Sequence, residues 1–219
     1  MHLHTIYSKD SLINPLKAKR YAKRKGLDGF AITDHNTLKA YEILKNKATE
    51  EFIIIPGMEI VTSIGEVLAL FLNEEIDIND NNFFTVLDKI KEQDGLVVIP
   101  HPFDFLRDSR LKLDLLTDDI INKYFNGIEI MNSRIIFKKC INKAKIFNAK
   151  YNLFETGGSD AHSNAEIGKA YTLIEVADNS HESIKKSLLA NKSKSLGSLS
   201  SPLVHLKTVT NKFIKRLYI

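Results

Sequence analysis

Five of the seven histidines in this 219-residue chain fall in short signatures that also carry carboxylates. His2-Leu3-His4 stands near one end and Asp160-Ala161-His162 towards the other, with Asp34-His35, Glu59 and His101-Pro102 between them. Side chains at i and i+2 of a strand point to the same face. His2 and His4 on a strand therefore aim two imidazoles at one point, and Asp160 and His162 do the same with a carboxylate and an imidazole. Neutral imidazole nitrogens and carboxylate oxygens are ligands for divalent cations. Only His181 and His205 lie outside these signatures.

A single His-x-His spacing recurs by chance, and its context gives it weight. Apolar, β-branched-rich runs precede the other candidates: Phe30-Ala31-Ile32-Thr33 before Asp34-His35, Phe52 to Met58 before Glu59, and Leu96 to Pro100 before His101. A (β/α) barrel displays its chemistry at the C-terminal ends of its strands.

The elements that would position these residues can be read along the chain. Residues 1–4 suggest a very short first strand. Asn14-Pro15 opens a helix that runs to Lys25 and stops at Gly26. Leu16 and Ala22 are its expected core positions, and Lys17, Lys19, Arg20, Lys23, Arg24 and Lys25 its solvated charged side. Strands are expected at 27–33, 51–60 and 67–72, with a helix at 38–48. The short connection containing Gly65 makes the second and third of these strands a hairpin. A loop at 79–82 leads into a helix at 83–93, and Gly95 hands over to a strand at 96–99. Residues 104–116, with Arg107 and Arg110, read as an active-site loop or a short helix. A strand at 127–131, a helix at 134–148, strands at 153–156 and 170–176 and a helix at 181–190 follow. This alternation argues for an α/β fold with a mostly parallel sheet. Residues 192–201, rich in serine and lysine, read as a flexible connection. An amphipathic piece at 203–219, with Val204, Val209, Phe213, Ile214, Leu217 and Tyr218, is expected to pack on the barrel. Lys207, Lys212, Lys215 and Arg216 give it a second reading as a partner-binding or membrane-surface helix.

The bulk properties narrow the class. Hydrophobic residues at 43% and charged ones at 26% are those of a soluble globular domain. A formal net charge of +4 suits anionic substrates but is too small to mark a nucleic-acid binder. The one cysteine, Cys140, excludes an internal disulfide framework, reads as packing on a helix, and agrees with a reducing compartment. The longest apolar runs are strand-sized, so neither a membrane span nor a signal peptide is expected, and the reading is cytoplasmic.

The segments His2-Leu3-His4-Thr5-Ile6-Tyr7-Ser8, Ile32-Thr33-Asp34-His35-Asn36-Thr37, Pro56-Gly57-Met58-Glu59-Ile60, Ile99-Pro100-His101-Pro102 and Gly158-Ser159-Asp160-Ala161-His162 resemble, in the same order, those of the PHP (polymerase and histidinol phosphatase) family. The resemblance covers roughly residues 1–176. It implies a distorted (β/α)7 barrel, placed here at 1–191 with 192–219 as linker and tail. It also implies two or three divalent metals, from among Mn, Fe and Zn, and hydrolysis of phosphoesters. By the same resemblance His2, His4 and Asp160 hold a first metal, Glu59 bridges, and His101 serves a second. His35 and His162 serve a third, with Asp10 as the carboxylate partner. Glu59 and His35 are the expected catalytic positions. Asp34 either orients a neighbouring histidine or caps the helix after it.

Three positions depart from the family pattern. Met1 stands where an aspartate commonly precedes the first histidine. Ser8-Lys9-Asp10 replaces a Ser-Asp-Gly, which puts the carboxylate at Asp10. Glu66 occupies a place where a histidine is often found, adding negative charge and favouring harder metals.

Clustered divalent ions lower the pKa of a bound water from about 15.7 towards about 7, and two cations stabilise both the entering and the leaving oxygen of an in-line attack on phosphorus. Arg107, Arg110 and Arg134 are candidates to hold the phosphate, because a guanidinium matches two oxygens at once. The expected substrate is a phosphate ester of a small metabolite or nucleotide. An oligonucleotide-trimming nuclease and a catalytically weak metal-binding scaffold are the rival readings. No interleaved aromatic and basic platform is visible in the sequence, which counts against the nuclease. No obligate protein partner is inferred.

Overall fold

The structure, a computed structural model, describes residues 1–49 and 51–218. Ile219 and the side chains of Lys207, Lys212, Arg216, Leu217 and Tyr218, invoked above for the tail, lie outside the described residues. The order of elements is α1 (Pro15–Arg24), β1 (Gly29–His35), α2 (Lys39–Leu44), β2 (Ile53–Thr62), β3 (Gly65–Leu70), α3 (Phe83–Glu92), β4 (Leu96–Ile99), α4 (Asp118–Tyr124), β5 (Gly127–Asn132), α5 (Lys138–Tyr151), β6 (Phe154–Gly158), β7 (Ala170–Ile174), α6 (His181–Leu189), β8 (Ser193–Gly197) and α7 (Leu203–Tyr218).

Strands β1 to β6 form one curled sheet in sequence order, and β7 pairs with β8 in a second. β1 and β2 are parallel, as are β4, β5 and β6; β3 runs against both its neighbours. The expected α/β class and the β2–β3 hairpin are therefore present. Residues 1–4 make less than a strand. Leu3 forms an isolated parallel bridge to Ala161, while its carbonyl accepts from the Thr33 amide. That one residue ties β1 to the segment after β6.

Alternation along the strands divides the core. Ala31, Ile55, Leu68, Leu70, Val98 and Phe154 pack inside the curl. Residues one position away, such as Ile32 and Ile54 or Val67 and Val97, pack outward in the two clusters that include α1 to α5, while α6 joins the inner cluster through Ile184 and Leu188. A methyl at Gly127 would stand 2.2 Å from the Phe154 ring, so glycine there lets Phe154 fill the floor of the curl.

Several elements differ from the expectation. Leu16 is 54% exposed, and α1 buries Pro15, Ala18 and Ala22. Ala18 and Ala22 are one turn apart, whereas Leu16 lies about 200° round the helix from Ala18. α2 is shorter than expected and ends in a 3-10 turn, Lys45–Lys47. α4 is an element absent from the expectation above, although Thr117 caps it by accepting from the Ile120 amide and Asp118 and Asp119 fill its first turn. α5 starts at Lys138 because the residues after β5 turn first, and it ends at Asn152, whose φ of 52° is the left-handed C-cap conformation. Within the stretch expected to be a flexible connection, β8 pairs with all of β7 from Ala170↔Gly197 to Ile174↔Ser193. Among the described residues no helix is long and apolar enough to cross a membrane.

The Asn82 side chain caps α3, accepting from the amides of Phe84 and Thr85. Asn82→Ala should lower the unfolding free energy by about 1 kcal/mol. Urea denaturation checks this, and an unmoved midpoint would mean that the cap contributes nothing.

Candidate metal centre

All the candidate ligands reach one rim of the curl. His35 ends β1 and stands in register with Glu59 of the parallel β2. β3 runs the other way, so its first residues, Gly65 and Glu66, arrive at the same rim opposite Thr62 and Val61. His101 follows β4 by two residues, and Asp160 and His162 follow β6 by two and four. The Leu3–Ala161 bridge sets His2 and His4 beside Asp160 and His162. His2, His4, Asp10, Glu59, Glu66, His101, Asp160 and His162 are buried, while the His35 side chain is 16% exposed.

Three sets of ligand atoms converge here: His2, His4 and Asp160; His4, His35 and His162; and His35, Glu59 and Glu66. Within each set the atoms lie within 4.8 Å of one another. His101 adds its Nε2, 3.0 Å from Glu59 Oε1 and 3.7 Å from Glu66 Oε2. Asp10 Oδ1 stands 3.3 Å from His162 Nε2 and 3.7 Å from His35 Nε2. Glu59, a member of the third set, also faces histidines of the other two. Its Oε1 faces Nε2 of His2 (3.4 Å) and of His101 (3.0 Å), and its Oε2 faces His4 Nε2 and His35 Nδ1, both at 3.2 Å.

Outer hydrogen bonds decide which ring nitrogens carry protons. Ser8 Oγ donates to Asp34 Oδ1 at 2.6 Å and accepts from the His35 amide, so it accepts from His4 Nδ1 at 3.0 Å as well. His162 Nδ1 donates to the Asp160 carbonyl at 2.8 Å. His2 Nδ1 donates to the Glu129 carboxylate at 3.2 Å. Each of these rings, when neutral, therefore turns an Nε2 lone pair inward. The Nε2 atoms of His2 and His4 are only 3.0 Å apart, and Asp160 Oδ1, buried without a hydrogen bond, is 3.4 Å from the second. Lone pairs and carboxylate oxygens crowded in this way repel unless protons or a cation lie among them. The donor set fits divalent cations.

Protons fill this role when no cation does. Burial opposes charging His4, but Asp160 and Glu59 override it and push the ring up to about 9; His2 is likewise raised despite its burial by Glu59, Glu129 and Asp160. Burial and the neighbouring His4 hold His162 down at about 4, so it is a neutral ring. Burial works against the charge on Glu59 and Asp160, yet His2 and His35 hold the first, and Arg107 and His2 the second, well below the usual carboxylate range. Burial and Glu59 push Glu66 upward.

The three arginines separate. Arg107 Nη2 donates to Asp160 Oδ2 at 2.5 Å and its Nε to Asp104 Oδ2 at 3.1 Å. Arg134 is buried, 3.5 Å from the Asp160 carbonyl and 2.5 Å from Thr208 of α7. Among the described residues the Arg110 guanidinium donates to the Arg107 carbonyl alone, so the structure does not bring it among the ligands. Asp34 does not cap α2, whose N-cap Leu38 makes no side-chain bond. It accepts from the Thr5 amide and hydroxyl and from Ser8, and so supports His4 through Ser8.

Comparison with known proteins gives the family and the fold. A family model described as PHP-associated matches residues 142–193, which include Asp160 and His162. An uncharacterized protein of Methanocaldococcus jannaschii is 37% identical over 172 residues, which is 78% of this chain and 68% of the relative. The chain belongs to the PHP family. A second uncharacterized protein of the same organism is 35% identical over 145 residues, 61% of this chain and 80% of its own length. The fold is similar to that of a two-domain protein from Bacteroides vulgatus containing a predicted PHP-like metal-dependent phosphoesterase. The TM-score is 0.75 at 18% identity, over 98% of this chain and 68% of that one.

For a PHP chain, the place of Met1 ahead of the first histidine raises the question of what supports His2, and the answer is Glu129. This residue escaped the reading of the sequence. Its carboxylate also accepts from the His101 amide and Asn132 Nδ2, both at 2.8 Å, and joins three parts of the rim. The clue was an acid inside the apolar run Gly127 to Met131, since a fully buried carboxylate needs partners. Asp104 and Glu166, the latter accepting from the His162 amide, also escaped it.

Cations must displace protons from His2 and His4. Metal affinity should therefore rise as pH increases towards about 9, with proton release measurable by titration calorimetry in buffers of different ionisation enthalpy. Without metal the sign reverses. The stability that His4 contributes is full below about 6.5 and is lost as pH rises through about 9. Melting curves with and without chelator should diverge across that window, and an affinity constant over it would contradict the assignment.

Proposed function

We propose that this protein is a multi-metal phosphoesterase acting on a phosphate ester of a small metabolite or nucleotide. The carrying observation is Glu59, whose two oxygens each face two imidazole nitrogens. A carboxylate so placed would hold two cations at once. His2, His4 and Asp160 would hold one ion, His101 and Glu66 a second with Glu59 between, and His35, His162 and Asp10 a third. Mn, Fe or Zn would suit the mixed nitrogen and oxygen donors. When bound, such ions neutralise phosphate charge and acidify water.

The chain's own groups do the rest. His35, the partly exposed ring of the set, meets the substrate first. Asp160 and Asp104 hold Arg107 by one Nη and its Nε, which leaves its other N–H groups for a phosphate oxygen. Arg134 is tied to the Asp160 carbonyl and to Thr208 and faces Glu166 at 3.7 Å, so it positions the segment carrying Asp160 and does not clamp substrate. The burial of the converging donors argues against a scaffold that has lost its ligands. The single buried cysteine fits a cytoplasmic enzyme.

Elemental analysis followed by a panel of phosphoesters with added Mn²⁺ tests the reading. Bound metal with turnover of monoesters is expected, and bound metal without any turnover would leave the scaffold. Glu59→Gln should reduce metal content and cut turnover at least ~100-fold. Wild-type turnover in that variant would remove the bridge.

A further inference from the structure

The loops that carry the two site arginines also carry a stacked pair of phenylalanines. Phe105 lies two residues before Arg107, and Phe137 three residues after Arg134. Their rings stack with centroids 5.1 Å apart and planes 21° apart. Lys139 Nζ sits 4.5 Å from the first centroid and 5.3 Å from the second. Phe105 is 45% exposed and Phe137 42%, and neither belongs to a core cluster. Turns with Asp104 N–H donating to the His101 carbonyl and Arg107 N–H to the Asp104 carbonyl keep Phe105 within one short loop of the candidate ligands. Core packing does not account for two exposed aromatic faces beside a cation.

We propose that Phe105, Phe137 and Lys139 form a stacking platform for the base of a nucleoside phosphate whose phosphate lies at the candidate metal centre. The phosphate end rests on the phosphoesterase reading; the platform rests on the rings. Every base offers a π-face, so an aromatic platform takes bases with little sequence preference. Lys139 supplies a cation beside the stack, and Arg107, two residues after Phe105 in the same loop, supplies another at Asp160. A planar group joined to an anion matches that order of aromatic and cationic groups, which a bare sugar phosphate does not.

The test compares adenosine 5′-phosphate with ribose 5-phosphate on the metal-loaded protein. The nucleotide is expected to show a KM about tenfold lower, and Phe105→Ala or Phe137→Ala to close that gap. A 5′-phosphorylated dinucleotide run beside them tells a free nucleotide from a strand end. The chain has no tryptophan, so Phe105→Trp places a sole indole at the platform. Quenching of its fluorescence by the nucleotide, but not by the sugar phosphate, is expected with or without turnover. If neither ester is hydrolysed yet the nucleotide quenches, the platform stands and the phosphoesterase reading falls. Equal KM values for both esters, unmoved by Phe105→Ala, together with no quenching, would overturn the platform and leave the hydrolase.

Discussion

A carboxylate buried among four imidazoles is the constraint that the rest of this structure answers. Glu59 is 1% exposed and its oxygens lie between 3.0 and 3.4 Å from ring nitrogens of His2, His4, His35 and His101. An isolated buried charge is prohibitively costly, so such a group must be matched by protons or cations. The four rings come from the N-terminal segment, the end of β1 and the residue two beyond β4. The curl of the sheet is what brings these distant points within reach of one another. Its inner face accordingly changes from an apolar floor around Phe154 and Val98 to an ionisable rim.

The supports of the rings matter as much as the rings. Ser8 with Asp34 fixes His4, Glu129 with Asn132 fixes His2, and the Asp160 carbonyl fixes His162. Each support takes the proton of Nδ1 and leaves Nε2 directed inward. Close packing tolerates no change here. A methyl at Gly158 would lie 2.1 Å from Glu129 Oε1 and 2.5 Å from the His2 Cβ, so the glycine of Gly158-Ser159-Asp160 is required by the support of a histidine more than 150 residues away in the chain.

α7 shows that the tail packs in a sense opposite to the usual amphipathic rule. Among its described residues the inward contacts include polar ones: Asn211 donates to the carbonyls of Asp10 and His162, and Lys215 to those of Ile6 and Ser8. Leu203, Leu206, Val209 and Phe213 on the other side are each 64–66% exposed. The loops of the rim present carbonyl oxygens with unused lone pairs, and a helix that covers them is selected for donors.

How much could be read beforehand follows from the range of each interaction. Alternation within a strand, a turn at Gly65, a cap at Asn82 and an apolar run ending in His101 are local, so sequence determined the α/β class, most strands and the identity of the candidate ligands. The resemblance to the PHP family came from the same short segments. Local pattern misled where a neighbour decides: Leu16 suits a helix core but faces solvent, and within the serine-rich 192–201 stretch Ser193 to Gly197 pair with β7 while Ser193 and Ser195 donate to Glu155 of β6. Only the tertiary structure decided that Glu59 is shared, that Glu129 supports His2, that Arg110 stands apart, and that Phe105 meets Phe137. Those relations join residues 24 to 127 positions apart, and no periodicity in a chain encodes a distance that arises only when the sheet curls.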